Sequence, residues 1–218
     1  RRDPARGMVV PNLPRRLDGE PPAPAVREPG QPLRIAFLSR VARTKNLHYA
    51  LQVLADVRSP VQFDIYGPRE DPAYWDECQA LMAALPGHVQ AAYRGEVTPE
   101  AVVETLSAYH LFYLPTRGES YGHVIWEALY AGCLPLISDR TPWTLDGISW
   151  TLPLDEPARH GAAIDTAAQF TPDEHHQRAR SAQELARQSA RPAAVLDANR
   201  AMFRALLGGA AGSTHKDG

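Results

Sequence analysis

Residues 110–138 read HLFYLPTRGESYGHVIWEALYAGCLPLIS. Two short apolar runs, HLFYL (110–114) and CLPLIS (133–138), flank a loop and a segment, YGHVIWEALYAG (121–132), with the pattern of a buried helix closed by Gly132. A strand, a helix and a second strand in that order form a parallel unit, because parallel strands need a crossover long enough to hold a helix. Two glutamates stand out in it. Glu119 sits in a glycine-flanked loop and Glu127 inside the apolar helix, where a carboxylate without a partner would be costly.

The same alternation runs outward on both sides. LRIAFL (33–38), VQFDIY (61–66) and VQAAYR (89–94) read as earlier strands, and ISWTLP (148–153) as a weaker sixth. Helices are predicted over 46–57, over 72–85, from Thr98-Pro99 to about Ala108, from a capping box at TPDE (171–174), and over roughly 192–207. Six strands alternating with helices predict an α/β fold, a doubly wound, Rossmann-like parallel sheet of order 3-2-1-4-5-6. Residues 1–32 hold eight prolines and six arginines, composition for an extended, partly mobile lead in which MVVPNLP (8–14) is the apolar island that could dock. The domain is therefore expected over 33–207, with 208–218 a disordered tail.

Composition sets outer limits. The 218 residues are 44% hydrophobic and 22% charged, as in an ordinary globular protein, and the net charge of −2 argues against a nucleic-acid partner. No apolar run reaches the ~18 residues of a membrane span, and no signal-peptide pattern is read in the opening residues. Cys78 and Cys133 are expected as two reduced, packed thiols, which suggests a cytoplasmic location. The chain begins with Arg1, as a fragment, a processed product or a truncated chain would.

In the predicted strand order, the first strand (33–38) and the fourth (110–114) are neighbours whose connections diverge, and ligands bind at such a switch point. Both loops there are chemically specialised: SRVARTKN after strand one carries Arg40, Arg43 and Lys45, and PTRGESYGH after strand four carries Arg117, Glu119 and Gly122. A helix N-terminus with a glycine accepts an anion, and Arg40 and Lys45 would add positive charge from the facing loop. Carboxylates beside a diphosphate make sense if they face sugar hydroxyls on either side of it, the layout of a nucleotide-sugar. If the helix ran throughout, eight residues would separate the glutamates by about 80° and roughly 12 Å.

RGESYGHVIWEALYAGCLPLIS resembles the E-x7-E segment of retaining GT-B glycosyltransferases, the group 1 family that includes glycogen synthases and bacterial polysaccharide transferases. FLSRVARTKN is similar to that family's phosphate-binding segment, VVPNLP to its P-N element, and SDRTPWTLD with PLDEP to a segment of some bacterial members. Together they span about residues 8–207. The resemblance implies that this chain is the C-terminal, donor-binding half of a hexosyltransferase acting on a glycan, lipid or small-molecule hydroxyl. It implies Glu119 as the catalytic residue on the donor hexose, Arg40, Lys45 and the Tyr121, Gly122, His123, Val124 backbone on the diphosphate, and Glu127 on the ribose. The base would rest near Gly67, Glu96 and Val97. No D-x-D motif occurs, in keeping with transfer needing no metal and no cofactor. The implied partners are the nucleotide-sugar and an absent N-terminal acceptor domain, without which the isolated half transfers little, and the pattern leaves room for peripheral membrane contact of the intact enzyme. Departures are Ser39, Asn46 and Ser120, where the family often has glycine.

Two other functions fit the same residues: a stand-alone nucleotide-sugar-binding module working with a partner chain, and a GT-B-fold sugar-nucleotide epimerase. Arg43 and Arg117 are expected at the surface or on the acceptor side. His123 either caps its helix or touches the sugar, and Trp143 packs in the core, the favoured place, or lines the cleft. His175 and His176, about 100° apart on a helix, are expected to be solvated.

Overall fold

The computed structural model describes residues 19–28, 30–145 and 147–189. Asp18–Ala186 form one compact unit, and residues 1–17 and 190–218 lie outside the described residues. The predicted docking of 8–14, the helix over 192–207 and the tail over 208–218 also lie outside them.

The strands are β1 (Leu33–Leu38), β2 (Val61–Tyr66), β3 (Val89–Gly95), β4 (Leu111–Leu114), β5 (Leu134–Ser138) and β6 (Trp150–Leu152). They form one parallel sheet of order β3-β2-β1-β4-β5-β6, as the sequence pattern predicts. Strand β1 aligns with β2 over its whole length and with β4 at Ile35↔Leu111 and Ala36↔Phe112. Strands β4 and β5 are buried at every position, which is why they read as unbroken apolar runs, whereas edge strand β3 keeps Gln90 and Arg94 exposed.

The helices are α1 (Leu47–Ala55), α2 (Pro72–Ala83), α3 (Val102–Ser107, entered through a 3-10 turn at Pro99–Ala101), α4 (His123–Ala131), α5 (Pro157–Gln169) and α6 (Pro172–Ser189). Helix α1 packs beside α2 and α5, and α3 beside α4, so the connections after β1 and β4 feed different helix layers and the crevice opens between them.

Helix α5 corrects the sequence pattern, which predicts no helix over 157–169. Its buried stripe is His160, Ala163, Ile164 and Ala167, with one large aliphatic side chain, too faint to register as an apolar period. The capping box at α6 forms as predicted: Thr171 N–H donates to Glu174 Oε2 at 2.8 Å and Glu174 N–H to Thr171 Oγ1 at 3.2 Å. His175 corrects another expectation. It is 5% exposed, its ring stands edge-on to His110 at 5.3 Å, and its Nε2–H donates to the His110 carbonyl at 3.2 Å; only His176 faces solvent. Burial holds both rings neutral, lowering His175 and bringing His110, also near Arg34, down to about 3.

The described part of the lead before β1 contains no helix or strand and is held in place: Tyr130 Oη–H donates to the Gly19 carbonyl at 2.7 Å and Gln183 Nε2–H to the Pro22 carbonyl at 2.9 Å. Cys78 and Cys133 are free thiols and buried. Among the described residues no helix is long and apolar enough to cross a membrane.

Candidate functional site at the β1–β4 switch point

The loop after β1 is tied first to the end of β2. Ser39 N–H donates to the Tyr66 carbonyl at 3.1 Å and Val41 N–H to the Pro68 carbonyl at 2.8 Å. The chain then turns into α1 through Asn46, whose φ of 67° is the one positive value among the described non-glycine residues. Asparagine tolerates that left-handed conformation better than most side chains, which explains its presence where glycine would serve.

The loop after β4 joins it there. Arg117 N–H and Thr116 Oγ1–H both donate to the Thr44 carbonyl, at 2.8 and 3.0 Å. These bonds bring Lys45 and Glu119 together: Lys45 Nζ lies 2.5 Å from Glu119 Oε2, with the two side chains 12% and 19% exposed. The two loops therefore meet, and one predicted cation faces the predicted catalytic carboxylate. Arg40 points elsewhere. Its Nη1 bonds both carboxylate oxygens of Glu70, at 3.0 and 3.1 Å, on the solvent side of the β2 loop.

Gly122 caps α4 with φ 79° and ψ 61°. A Cβ there would lie 2.7 Å from Ile125 Cδ1 and 3.1 Å from Glu119 Cγ, so both backbone and space call for glycine. No side chain caps this helix and no acidic residue stands in its first turn, which leaves the amides at its start to solvent or an anion. His123 is exposed and Val124 half-buried; the Tyr121 ring lies beside His123, at 4.8 Å. Burial raises the Tyr121 hydroxyl above its usual range.

Glu127 lies within α4, 9% exposed. Because α4 begins at His123, the 119–127 interval is helical only in its second half, and the loop rather than a continuous helix sets the glutamates' separation.

The three predicted base-site residues come together at the ends of β2 and β3. Gly67 N–H donates to the Gly95 carbonyl at 2.9 Å, and Glu96, exposed, and Val97, half-buried, follow directly. Gly67 also has a fold-level reason to be glycine: at φ 126° its Cβ would lie 2.1 Å from the Ser39 carbonyl oxygen. Beside it the Arg69 guanidinium stacks over Tyr93 at 4.7 Å and Trp75 at 5.5 Å.

Arg43 pairs with Glu77 at 2.5 Å and Arg117 reaches His48 Nε2 at 3.4 Å, away from the Lys45–Glu119 pair, as expected for surface residues. The neighbouring guanidiniums and, above all, burial lower the His48 imidazole. Trp143 is the residue that sequence reasoning undervalued: it is half-buried rather than in the core, and its indole N–H donates to the Tyr121 carbonyl at 2.5 Å. The tryptophan in SDRTPW, directly after a strand end, was the available signal.

A groove of about 960 Å³ lies elsewhere, along α1 and α5, lined by Val53, Ala158, Gly161 and Ala162 among others. Its Asp165 already accepts from the Arg58 and Ser59 backbone amides. It runs along the helix flank instead of the carboxyl ends of the strands, and the convergence of charge and free helix amides favours the switch point. Among the described residues no three His, Cys, Asp or Glu side chains cluster as metal ligands would.

No curated protein matches the chain. Among solved structures it is similar to the catalytic domain of cholesterol-alpha-glucosyltransferase from Helicobacter pylori, at 20% identity over 72% of this chain and 99% of that one, TM-score 0.61. Anabaena HepE in complex with UDP-glucose matches at 19% identity over 81% of this chain and 49% of that one, TM-score 0.67. Sucrose-phosphate synthase from Thermosynechococcus elongatus matches at 18% identity, 84% and 47%, TM-score 0.70. The chain thus spans about half the length of the latter two. At these identities the likeness establishes the shared fold, the Rossmann-like sheet of GT-B glycosyltransferase domains. The family model for glycosyl transferases group 1 matches residues 23–148, more than half of the chain. The chain belongs to the group 1 glycosyltransferases.

Proposed function

We propose that this chain is the C-terminal, donor-binding half of a retaining glycosyltransferase that moves a hexosyl unit from a nucleoside-diphosphate sugar to a hydroxyl group. The observation that carries it is the meeting of Lys45 and Glu119 beside the open N-terminus of α4, at the switch point of a group 1 chain. HepE, a neighbour of the same fold, is described in complex with UDP-glucose, which supports a nucleotide-sugar here.

In this account the diphosphate lies across the α4 amides from Gly122 to Val124. Lys45 turns from Glu119 to a phosphate oxygen, and Arg40 turns likewise from Glu70. When the bond between the anomeric carbon and the diphosphate breaks, its electron pair leaves with the diphosphate, and these two positive charges stabilise it without calling on a metal ion or cofactor. Glu119, released from Lys45, faces the hexose and the positive charge developing on it, while Glu127 holds the ribose hydroxyls and the base lies over Gly67, Glu96 and Val97.

The acceptor hydroxyl has to be positioned by an N-terminal domain, so this half on its own binds donor and transfers little. The reduced, buried Cys78 and Cys133 fit a cytoplasmic enzyme.

Calorimetric titration with UDP, GDP and ADP tests the proposal. Saturable binding of one of them, weakened by Glu127→Ala, is expected; absence of binding by all three, in this chain and in the chain joined to its N-terminal domain, overturns it.

A further inference from the structure

The loop that carries Glu119 is held from one side by the last residue of β5 and the segment following it. Ser138 Oγ–H donates to the Thr116 carbonyl at 2.5 Å, Glu119 N–H to the Arg140 carbonyl at 3.0 Å, and Trp143 Nε1–H to the Tyr121 carbonyl at 2.5 Å. Trp143 is itself fixed at both backbone groups: its N–H donates to Thr141 Oγ1 and its carbonyl accepts from Thr151 Oγ1, each at 3.3 Å. Its ring meets Tyr121 edge-on at 5.8 Å, completing a row with the Tyr121–His123 contact.

The carbonyl that Trp143 holds belongs to the peptide unit joining Tyr121 to Gly122. That unit is planar and trans, so its C=O and N–H point in opposite directions. Fixing the Tyr121 carbonyl toward the indole therefore fixes the Gly122 N–H away from it. Gly122 is the residue least able to hold its own orientation, since glycine moves freely between positive and negative φ. Here it sits at φ 79°, at the entrance of α4, with no side chain capping the helix.

We propose that Trp143 is a positioning residue for the donor diphosphate: its indole N–H locks the Tyr121–Gly122 peptide so that the Gly122 N–H is aimed at a phosphate oxygen. The inference rests on the donor-site reading above and assigns a role to a residue outside the glutamate, arginine, lysine and α4 backbone set. It also separates two functions of the side chain. The ring packs against Tyr121, and the N–H sets the direction of a backbone donor two residues before Val124.

The test uses Trp143→Phe, which keeps an aromatic ring against Tyr121 and removes the donor. The chain and the variant are titrated with whichever of UDP, GDP or ADP the unaltered chain binds, with thermal midpoints and the Gly122 amide resonance followed in parallel. The expected result is a roughly 5- to 20-fold weaker diphosphate affinity, the scale of one charge-assisted hydrogen bond lost from alignment, at an unchanged midpoint. In the unaltered chain the Gly122 amide shifts on titration, and in the variant that response shrinks. Unchanged affinity overturns the inference, as does an affinity loss that merely follows a drop in thermal midpoint, which marks a structural role. If the variant does not fold, the unaltered chain still decides: a Gly122 amide that stays put while diphosphate binds refutes the proposal. Failure of the unaltered chain to bind any of the three nucleotides, alone or joined to its N-terminal domain, is a different result. It removes the donor-site reading, and the role of Trp143 goes with it.

Discussion

Replacing Glu119 by glutamine should tighten the binding of a sugar-free nucleoside diphosphate, although Glu119 is the residue proposed for the reacting centre. In the structure its carboxylate holds the Lys45 ammonium at 2.5 Å, with both side chains largely withdrawn from water. A diphosphate must draw Lys45 away from that partner. Two unit charges about 4 Å apart interact by about 4 kcal/mol at an effective dielectric of 20. Set against desolvation, a charged hydrogen bond contributes a net ~1.5–3 kcal/mol. Glutamine keeps a neutral hydrogen bond to Lys45 and removes the charge, which leaves ~1–2 kcal/mol less to overcome and corresponds to roughly 5- to 30-fold tighter binding. Calorimetry on the unaltered chain, Glu119→Gln and Lys45→Gln measures it directly. Lys45→Gln should weaken the same nucleotide by a similar factor. With the sugar attached, the gain from Glu119→Gln should shrink, since the hexose loses a carboxylate partner. Weaker or unchanged diphosphate affinity in Glu119→Gln would refute the idea that Glu119 and the phosphates compete for Lys45.

Other predictions concern the backbone and pH. Gly67→Ala puts a Cβ 2.1 Å from the Ser39 carbonyl oxygen at φ 126°, and a backbone atom cannot step aside as a side chain can. Its cost should exceed ~3 kcal/mol in urea unfolding, whereas Gly122→Ala, which meets the movable Ile125 tip, should cost ~1–3 kcal/mol while sharply weakening nucleotide binding. Equal costs would contradict the contact geometry. His110, His160 and His175 all have folded-state pKa values below the ordinary 6.5, chiefly through burial. The unfolded chain then binds more protons below pH ~6.5, so the stability these rings contribute is complete above that pH and is lost as pH falls toward the folded values. His110, at about 3, alone accounts for on the order of 1–2 kcal/mol between pH 6.5 and pH 5. A denaturation midpoint that stays level across this window, or a slope that His110→Gln leaves untouched, would contradict it.

Where the sequence pattern succeeded and failed follows from burial. Strands β4 and β5 are enclosed on both faces, so every residue had to be apolar, Ser138 apart, and the pattern was plain. The facing of the two loops followed from strand order alone, because β1 and β4 neighbour each other at the switch point. Helix α5 escaped notice because small residues and a buried histidine carry its inner face. His175 did too, since its burial depends on His110, which lies 65 positions earlier, and no local period reports that. The Arg40–Glu70 pair and the Trp143–Tyr121 bond were illegible for the same reason: each joins two irregular loops. Which partner each candidate residue holds is a property of loop geometry, which no local sequence pattern reports.

The central claim, a donor site at the β1–β4 switch point, is tested most directly by a crystal structure of the chain with a bound nucleotide-sugar. The diphosphate is expected on the Gly122–Val124 amides with Lys45 drawn away from Glu119, and the ribose against Glu127. A nucleotide seated instead along α1 and α5, in the groove beside Val53 and Gly161, with the Lys45–Glu119 pair intact, would contradict it.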